Sequence, residues 1–312
     1  MLKKLKKGLV FRSTGSWYTV QSGGVFYVCR IKGRLRLQGI KSTNPVAVGD
    51  WVGFEEVPNS DKPEGIIIEI QERQNYIVRK SVNLSKQTHI IAANIDQVFL
   101  LITLDNPPTY TAFIDRFLVT AEAYQIPVIL VFNKIDSYTL DQQNEIEKLG
   151  SLYSKIGYTT MKISALKLTH IEQIAAHMED KVSMFAGHSG VGKSTLINAL
   201  APDLELKTAP ISEQHQQGMH TTTFAEMHAL PNGMKLIDTP GIKGFGIVEM
   251  EAAEIGSYFP EFNRLKSNCK FHNCLHQNEP GCAVRTALEQ GAIAASRYEN
   301  YLQLLENDMT YR

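Results

Sequence analysis

Gly187-His188-Ser189-Gly190-Val191-Gly192-Lys193-Ser194 fits the pattern G-x-x-x-x-G-K-[ST] in full, with Thr195 next. It lies between the apolar run VSMFA and the helical pattern TLINAL. A strand, a glycine-rich turn and a helix in that order make a phosphate cradle. The glycines turn successive backbone N–H groups inward, the helix N-terminus adds a positive dipole, and Lys193 brings charge to β- and γ-phosphates. Ser194 is placed to offer its hydroxyl to Mg²⁺. Asp238-Thr239-Pro240-Gly241 follows a second apolar run, MKLI. An aspartate at such a strand end can hold the water shell of Mg²⁺, and the Gly241 N–H can meet a γ-phosphate. Alone, DTPG reads as a turn; beside a phosphate loop it reads as part of the same site.

Asn133-Lys134-Ile135-Asp136 directly follows the run PVILVF. A carboxylate at 136 accepts from the ring N1–H and the exocyclic amine of guanine, groups that adenine does not present as donors there. Asn133 is assigned to the O6/N7 edge and the Lys134 stem to the ring face. Ser164-Ala165 ends the run TTMKI, where a backbone N–H can reach O6. A carboxylate left unpaired by the wrong base is costly, so discrimination is expected to be large. These residues predict GTP rather than ATP, with Mg²⁺. Their order is unusual, because the base-reading segments at 133 and 164 precede the phosphate loop at 187. A parallel sheet needs only its strand ends in place, so a circular permutation preserves the site.

Between the two phosphate motifs lies Gln216-Gln217-Gly218-Met219-His220-Thr221-Thr222-Thr223, where a first switch loop belongs. Thr222 or Thr223 is expected to join Ser194 on Mg²⁺. Position 242, where many GTPases carry a water-orienting glutamine, is isoleucine, which cannot orient water. His220 is the nearest candidate for that catalytic role, set against the plainer reading of a polar loop residue. Intrinsic hydrolysis is therefore expected to be slow and to depend on a partner that orders the loop.

Cys269-x4-Cys274-x-His276-x5-Cys282 places three thiols and an imidazole in one short loop. That is a closed tetrahedral donor set, suited to one structural Zn²⁺. His272 is the alternative to His276. Four cysteines in 312 residues are too few for a disulfide framework.

The elements that must position these residues follow from pattern. Residues 1–72 carry short runs rich in Val, Ile, Phe, Tyr and Trp between Gly, Ser, Asn and Pro turns, which predicts a five-stranded barrel, an OB-fold. The polar, basic stretch 73–89 reads as a linker. Residues 90–245 alternate apolar strands with helical periodicity, the signature of an α/β domain with a parallel sheet. Phe224–Leu230 and Met234–Ile237 flank an Asn-Gly turn and predict a hairpin. Residues 246–312 read as a mainly helical domain around the Cys/His loop, closing with a helix from Ala283 to about Glu306.

Composition narrows the setting. Hydrophobic residues make up 43% and charged residues 21%, an ordinary globular balance that argues against long disorder. No run of about 18 apolar residues exists, so a spanning helix is excluded. The basic opening MLKKLKK precedes an apolar run that stops at Phe11, too short for a signal peptide, so a cytoplasmic location is expected. Formal net charge is zero, yet residues 1–41 hold ten basic side chains and no acid, leaving 22 basic against 32 acidic in the rest. Such an end predicts a polyanion partner, nucleic acid before membrane.

The order NKID, SA, GHSGVGKST, HTTT and DTPG, preceded by a small barrel and followed by CxxxxCxHxxxxxC, resembles the ribosome small-subunit-dependent GTPase A family over nearly the whole chain. The resemblance implies an OB-fold, a circularly permuted P-loop GTPase domain and a zinc domain. It also implies binding to the small ribosomal subunit and its rRNA late in maturation, with the subunit stimulating hydrolysis; the chain is expected to act as a monomer. His220 matches the family's proposed catalytic histidine, and Cys269, Cys274, His276 and Cys282 its zinc ligands. Two other readings are less well supported: a GTP-dependent switch with a protein partner, against which stand the acid-free basic residues 1–41 and the Cys/His loop, and an RNA-binding scaffold whose nucleotide site is only structural, against which stands the full Mg²⁺ and switch set.

Overall fold

The computed structural model describes residues 5–32, 45–58, 60–80, 88–204, 225–238 and 250–310. The chain divides into two compact units: Met1–Val98 with Glu172–Ala186 and Leu200–Gly244, and Phe99–Ile171 with Gly187–Ala199 and Phe245–Arg312.

The first unit opens with five strands, β1 (Lys6–Ser13), β2 (Tyr18–Ser22), β3 (Val25–Ile31), β4 (Trp51–Glu56) and β5 (Glu64–Ile70). They pair in the order 1-2-3-5-4, and β4 returns to β1, so the sheet closes on itself. Only the β3–β5 pair is parallel. Closure with this order is an OB-like barrel, and it removes the free edges that an open five-stranded sheet would expose. The interior is filled by Val10, Tyr18, Val20, Tyr27, Cys29, Val52, Phe54 and Ile67, drawn from alternate positions of each strand. Cys29 is one of these core residues, and burial pushes its thiol up to about 12.

The stretch expected to be a linker is partly structured. β6 (Tyr76–Lys80) and β7 (Thr88–Ala93) form an antiparallel ribbon. Its polar and basic residues masked a period-2 pattern in which Ile77, Ile90 and Ala92 are buried. The ribbon is tied to the barrel, since the Ala93 N–H donates to Val48 O at 2.8 Å and the Asn94 amide donates to Gly49 O at 2.9 Å. Beside it, Arg73 donates to both carboxylate oxygens of buried Asp50, at 2.7 and 2.6 Å.

The α/β pattern follows: β8 (Gln97–Ile102), α1 (Thr111–Ala123), β9 (Val128–Phe132), α2 (Leu140–Ile156), β10 (Thr159–Lys162), α3 (Ile171–Met178), β11 (Val182–Ala186) and α4 (Lys193–Leu200). Every residue of β8 and β9 is buried, as expected for strands covered on both faces. In the second unit β9 lies between β8 and β10, with β9 and β10 parallel. Thr139 and Gln142 start α2 with a reciprocal capping box. In the first unit β12 (Glu226–Ala229) and β13 (Lys235–Asp238) form the expected hairpin, β13 runs parallel to β11, and β12 pairs with β1 of the barrel.

The C-terminal part of the second unit contains α5 (Ala252–Ile255), α6 (Pro260–Lys266), α7 (Ala283–Glu289) and α8 (Ala295–Thr310). The single closing helix expected from Ala283 is two helices. Gly291 adopts φ +73°, and the N–H groups of Gly291 and Ala292 turn back to Leu288 O and Ala287 O, a glycine-dependent helix stop. Phe259, Phe262, Val284, Tyr301, Leu304 and Leu305 form the core here, joined by Val119 of α1. A buried polar cluster reinforces that junction. Asp115 of α1 accepts from Tyr153, Arg297 and Asn300 at 2.6–2.7 Å, while Arg297, only 1% exposed, also donates to Glu261.

Candidate guanine-nucleotide site and metal cluster

The phosphate loop leaves β11 as Gly187–Gly192 and enters α4 at Lys193. Gly187, Gly190 and Gly192 all have positive φ, at +138°, +85° and +100°. Gly192 is needed twice over, because a Cβ there would also lie 2.4 Å from the Asn133 amide nitrogen. Lys193 Nζ donates to the carbonyls of Gly187 and His188, each at 2.7 Å, which holds the ammonium over the loop. The His188 ring packs on Phe113 of α1 with centroids 4.0 Å apart. Burial, then the neighbouring Lys193, pull the His188 pKa below its ordinary value, favouring the neutral ring. Ser189 and Gly190 are exposed, Val191 is buried, and Ser194 and Thr195 are half-buried in the first turn of α4.

Asn133 follows β9 and is 1% exposed. Each of its four polar groups has a partner from a different segment. Its N–H donates to Ile102 O at 2.9 Å, and its carbonyl accepts from the Tyr138 hydroxyl at 2.9 Å. Its side-chain amide donates to Val191 O at 2.8 Å, and its side-chain oxygen accepts from the Ala165 N–H at 3.0 Å. The three loops that pattern assigned to one nucleotide are thus hydrogen-bonded to one another. Of the two backbone N–H groups of Ser164-Ala165, one of which is expected at O6, that of Ala165 donates to the Asn133 side chain and that of Ser164 to Thr169 O at 3.1 Å, so the Asn133 carboxamide is a joint between loops.

Lys134 is left-handed at φ +67° and opens a 3-10 turn, Ile135–Ser137, closed by the Ser137 N–H and hydroxyl on Lys134 O. Lys134 Nζ donates to Asn106 O. Burial lowers the Lys134 pKa, with the carboxylates of Asp105 and Asp136 opposing. Asp136 remains exposed while one of its oxygens accepts from the Ser164 hydroxyl at 2.5 Å, so the carboxylate is held but accessible. Ile135 is half-buried in the turn. Asp238, half-buried, ends β13 in the other unit. His220, Thr222, Thr223, Gly241 and Ile242 lie outside the described residues.

The ligand atoms of Cys269, Cys274, His276 and Cys282 all lie within 4.8 Å of one another. His276 Nδ1 is 3.4 Å from Cys282 Sγ and 3.7 Å from Cys269 Sγ. These two separations match the edges of a tetrahedron whose centre is about 2.0–2.3 Å from each donor, and three thiols with one imidazole are a donor set that suits a divalent ion of the zinc type. His272 is exposed and outside the cluster. The loop geometry comes from residues that sequence reasoning missed. Glu279 accepts from the N–H groups of Leu275, Gln277 and Asn278, while Tyr301 and Tyr298 donate to the carbonyls of Leu275 and His276 at 2.6 Å. Burial raises the Glu279 pKa, but the backbone donors outweigh it and hold the carboxyl below its ordinary value. A glutamate three residues from a ligand carries no pattern of its own, so only its contacts reveal this part.

A P-loop joined to a base-reading loop that precedes it in the chain defines a GTPase of circularly permuted order. Residues 70–248 match the family model described as RsgA GTPase, and residues 7–67 match that of the RsgA N-terminal domain. The chain belongs to the RsgA GTPase family. It is 59% identical over 303 residues to the small ribosomal subunit biogenesis GTPase RsgA of Christiangramia forsetii, covering 97% of this chain and 96% of that one. Identity to the protein of the same name from Flavobacterium johnsoniae is 61% over 302 residues, 96% and 93% of the two chains. Among solved structures, YjeQ from Thermotoga maritima superposes with a TM-score of 0.80 at 34% identity, covering 97% of this chain and 98% of that one. YloQ, described as a circularly permuted GTPase, gives 0.77 at 30%, covering 99% and 96%. Among the described residues, no helix is long and apolar enough to cross a membrane.

Proposed function

We infer that this GTPase acts in the cytoplasm on the small ribosomal subunit, late in its maturation, and that the subunit stimulates GTP hydrolysis. The observation carrying the nucleotide reading is the hydrogen-bonded junction of Asn133, Val191 and Ala165, which brings base-reading and phosphate loops to one place. Asp136 selects guanine. Gly187–Thr195 hold the phosphates. Ser194 and Thr222 or Thr223 ligate Mg²⁺, with Asp238 on its water shell and Gly241 on the γ-phosphate. His220 orients the attacking water. Zn²⁺ on Cys269, Cys274, His276 and Cys282 fixes the C-terminal fold.

The names carried by the relatives support the subunit as partner, and the acid-free basic residues 1–41 support contact with its rRNA. The chain acts as a monomer. GTP orders the switch loops and hydrolysis releases the grip. The deciding experiment measures phosphate release from GTP and from ATP, with and without purified small subunits. The expected result is slow release from GTP alone, faster release with subunits, and none from ATP. Equal use of ATP, or no acceleration by subunits, overturns the reading. Subunit binding that does not weaken as salt rises also counts against an rRNA contact.

A further inference from the structure

The segment after β8, Leu104–Thr109, matches none of the nucleotide motifs, yet it is hydrogen-bonded to the base-reading loop and lies beside the phosphate loop. The Leu104 N–H donates to the Tyr138 hydroxyl at 3.0 Å, and that hydroxyl donates onward to Asn133 O at 2.9 Å. Asn106 O accepts from Lys134 Nζ. On the phosphate side, Pro107 Cδ lies 3.4 Å from where a Cβ on Gly190 would stand. The segment is itself braced, because the Thr103 hydroxyl donates to Pro107 O at 2.6 Å and the Thr103 N–H donates to Thr109 Oγ1 at 3.2 Å.

We propose that Leu104–Thr109 is a strap holding the base-reading loop against the phosphate loop, and that Tyr138 is its positioning residue. The inference rests on the guanine-site reading above. Tyr138 is 8% exposed, and its hydroxyl links the Leu104 N–H of the strap to the carbonyl of the residue that joins all the loops. Removing that oxygen leaves the Asn133 carbonyl and the Leu104 N–H unpaired among the described residues. A buried polar group without a partner is costly, so the loops separate slightly to rehydrate, and the nucleotide is held less well. The chemistry is untouched, because no atom of Tyr138 is assigned to the reacting phosphate. Tyr138 acts on retention and on base choice.

The test uses the full chain with Mg²⁺ and a fluorescent GDP. Tyr138→Phe keeps the ring and removes one oxygen. The expected result is a Kd raised roughly tenfold, through faster release, with kcat at saturating GTP unchanged and the preference for GTP over ATP reduced. Thr103→Val removes the brace on Pro107 O and keeps the shape, so it gives the same signature if Tyr138→Phe does not fold. A variant with lowered Tm but unchanged Kd overturns the proposal, since Tyr138 is then only a packing residue. A fall in kcat with unchanged Kd overturns it equally. Asp136→Asn serves as the control for the underlying site. If that variant keeps its guanine preference and gains no xanthine nucleotide binding, the base-site reading has failed, whatever Tyr138→Phe does.

Discussion

The side-chain amide of Asn133 donates to the carbonyl of Val191 at 2.8 Å, across 58 residues of chain, and both groups are buried. The other end of the same carboxamide takes the N–H of Ala165. One side chain therefore ties the loops after β9, β10 and β11. This arrangement explains why the motif order along the chain is immaterial to the site. The loops are joined by hydrogen bonds in space, which are indifferent to where the termini fall.

Replacing Asn133 with alanine is expected to strand the Val191 carbonyl and the Ala165 N–H, each worth about 1–3 kcal/mol when buried unpaired. Guanine nucleotide affinity should fall by at least about tenfold and Tm should drop by several degrees, by titration with a fluorescent nucleotide and by thermal melting. Unchanged affinity would show that the joint does not shape the site.

Gly192→Ala meets two obstacles, a backbone at φ +100° and an Asn133 nitrogen 2.4 Å from the new Cβ. At Gly190, also left-handed, the nearest atom is 3.4 Å away. Nucleotide affinity should therefore suffer more from Gly192→Ala than from Gly190→Ala. The reverse ranking would count against the close approach of Asn133.

His220→Ala is expected to bind GTP as the parent does and to lose about a hundredfold or more of subunit-stimulated turnover, the usual scale for one acid–base group. Stimulated phosphate release at the parental rate would falsify its catalytic role.

Removal of the metal is expected to loosen the C-terminal helices, because the Cys/His loop packs into their shared core. A zinc-selective chelator, used with Mg²⁺ in excess, should release one equivalent of metal and lower Tm. Cys282→Ser should contain less metal, whereas Cys29→Ser, altering a thiol in the barrel core, should keep the full equivalent. Full metal content in Cys282→Ser would remove it from the ligand set.

Arg297 is buried against Asp115 and Glu261, so Arg297→Ala strands acidic groups and should cost about 3–5 kcal/mol, read from urea unfolding. A loss under about 1 kcal/mol would mean that water reaches the cluster as in a surface pair.

The sequence alone determined the class of fold, the nucleotide motifs and the Cys/His donor set, because each rests on residue types at short, local spacings. Val, Ile and Phe at alternate positions specify barrel strands, and the glycines of 187–192 specify a phosphate loop. Other features were beyond its reach. The strand at Tyr76–Lys80 is hidden by polar residues, and a single Gly291 inside a helical pattern does not by itself mark a helix end. Only tertiary structure decided that Asn133 spends its carboxamide on Val191 and Ala165, that Tyr138 ties Leu104 to Asn133, and that Arg297 closes on Asp115. These contacts join positions far apart in the chain. Their partners are chosen by how packed elements bring donors and acceptors together, and a residue's type does not reveal which buried group it will be required to satisfy.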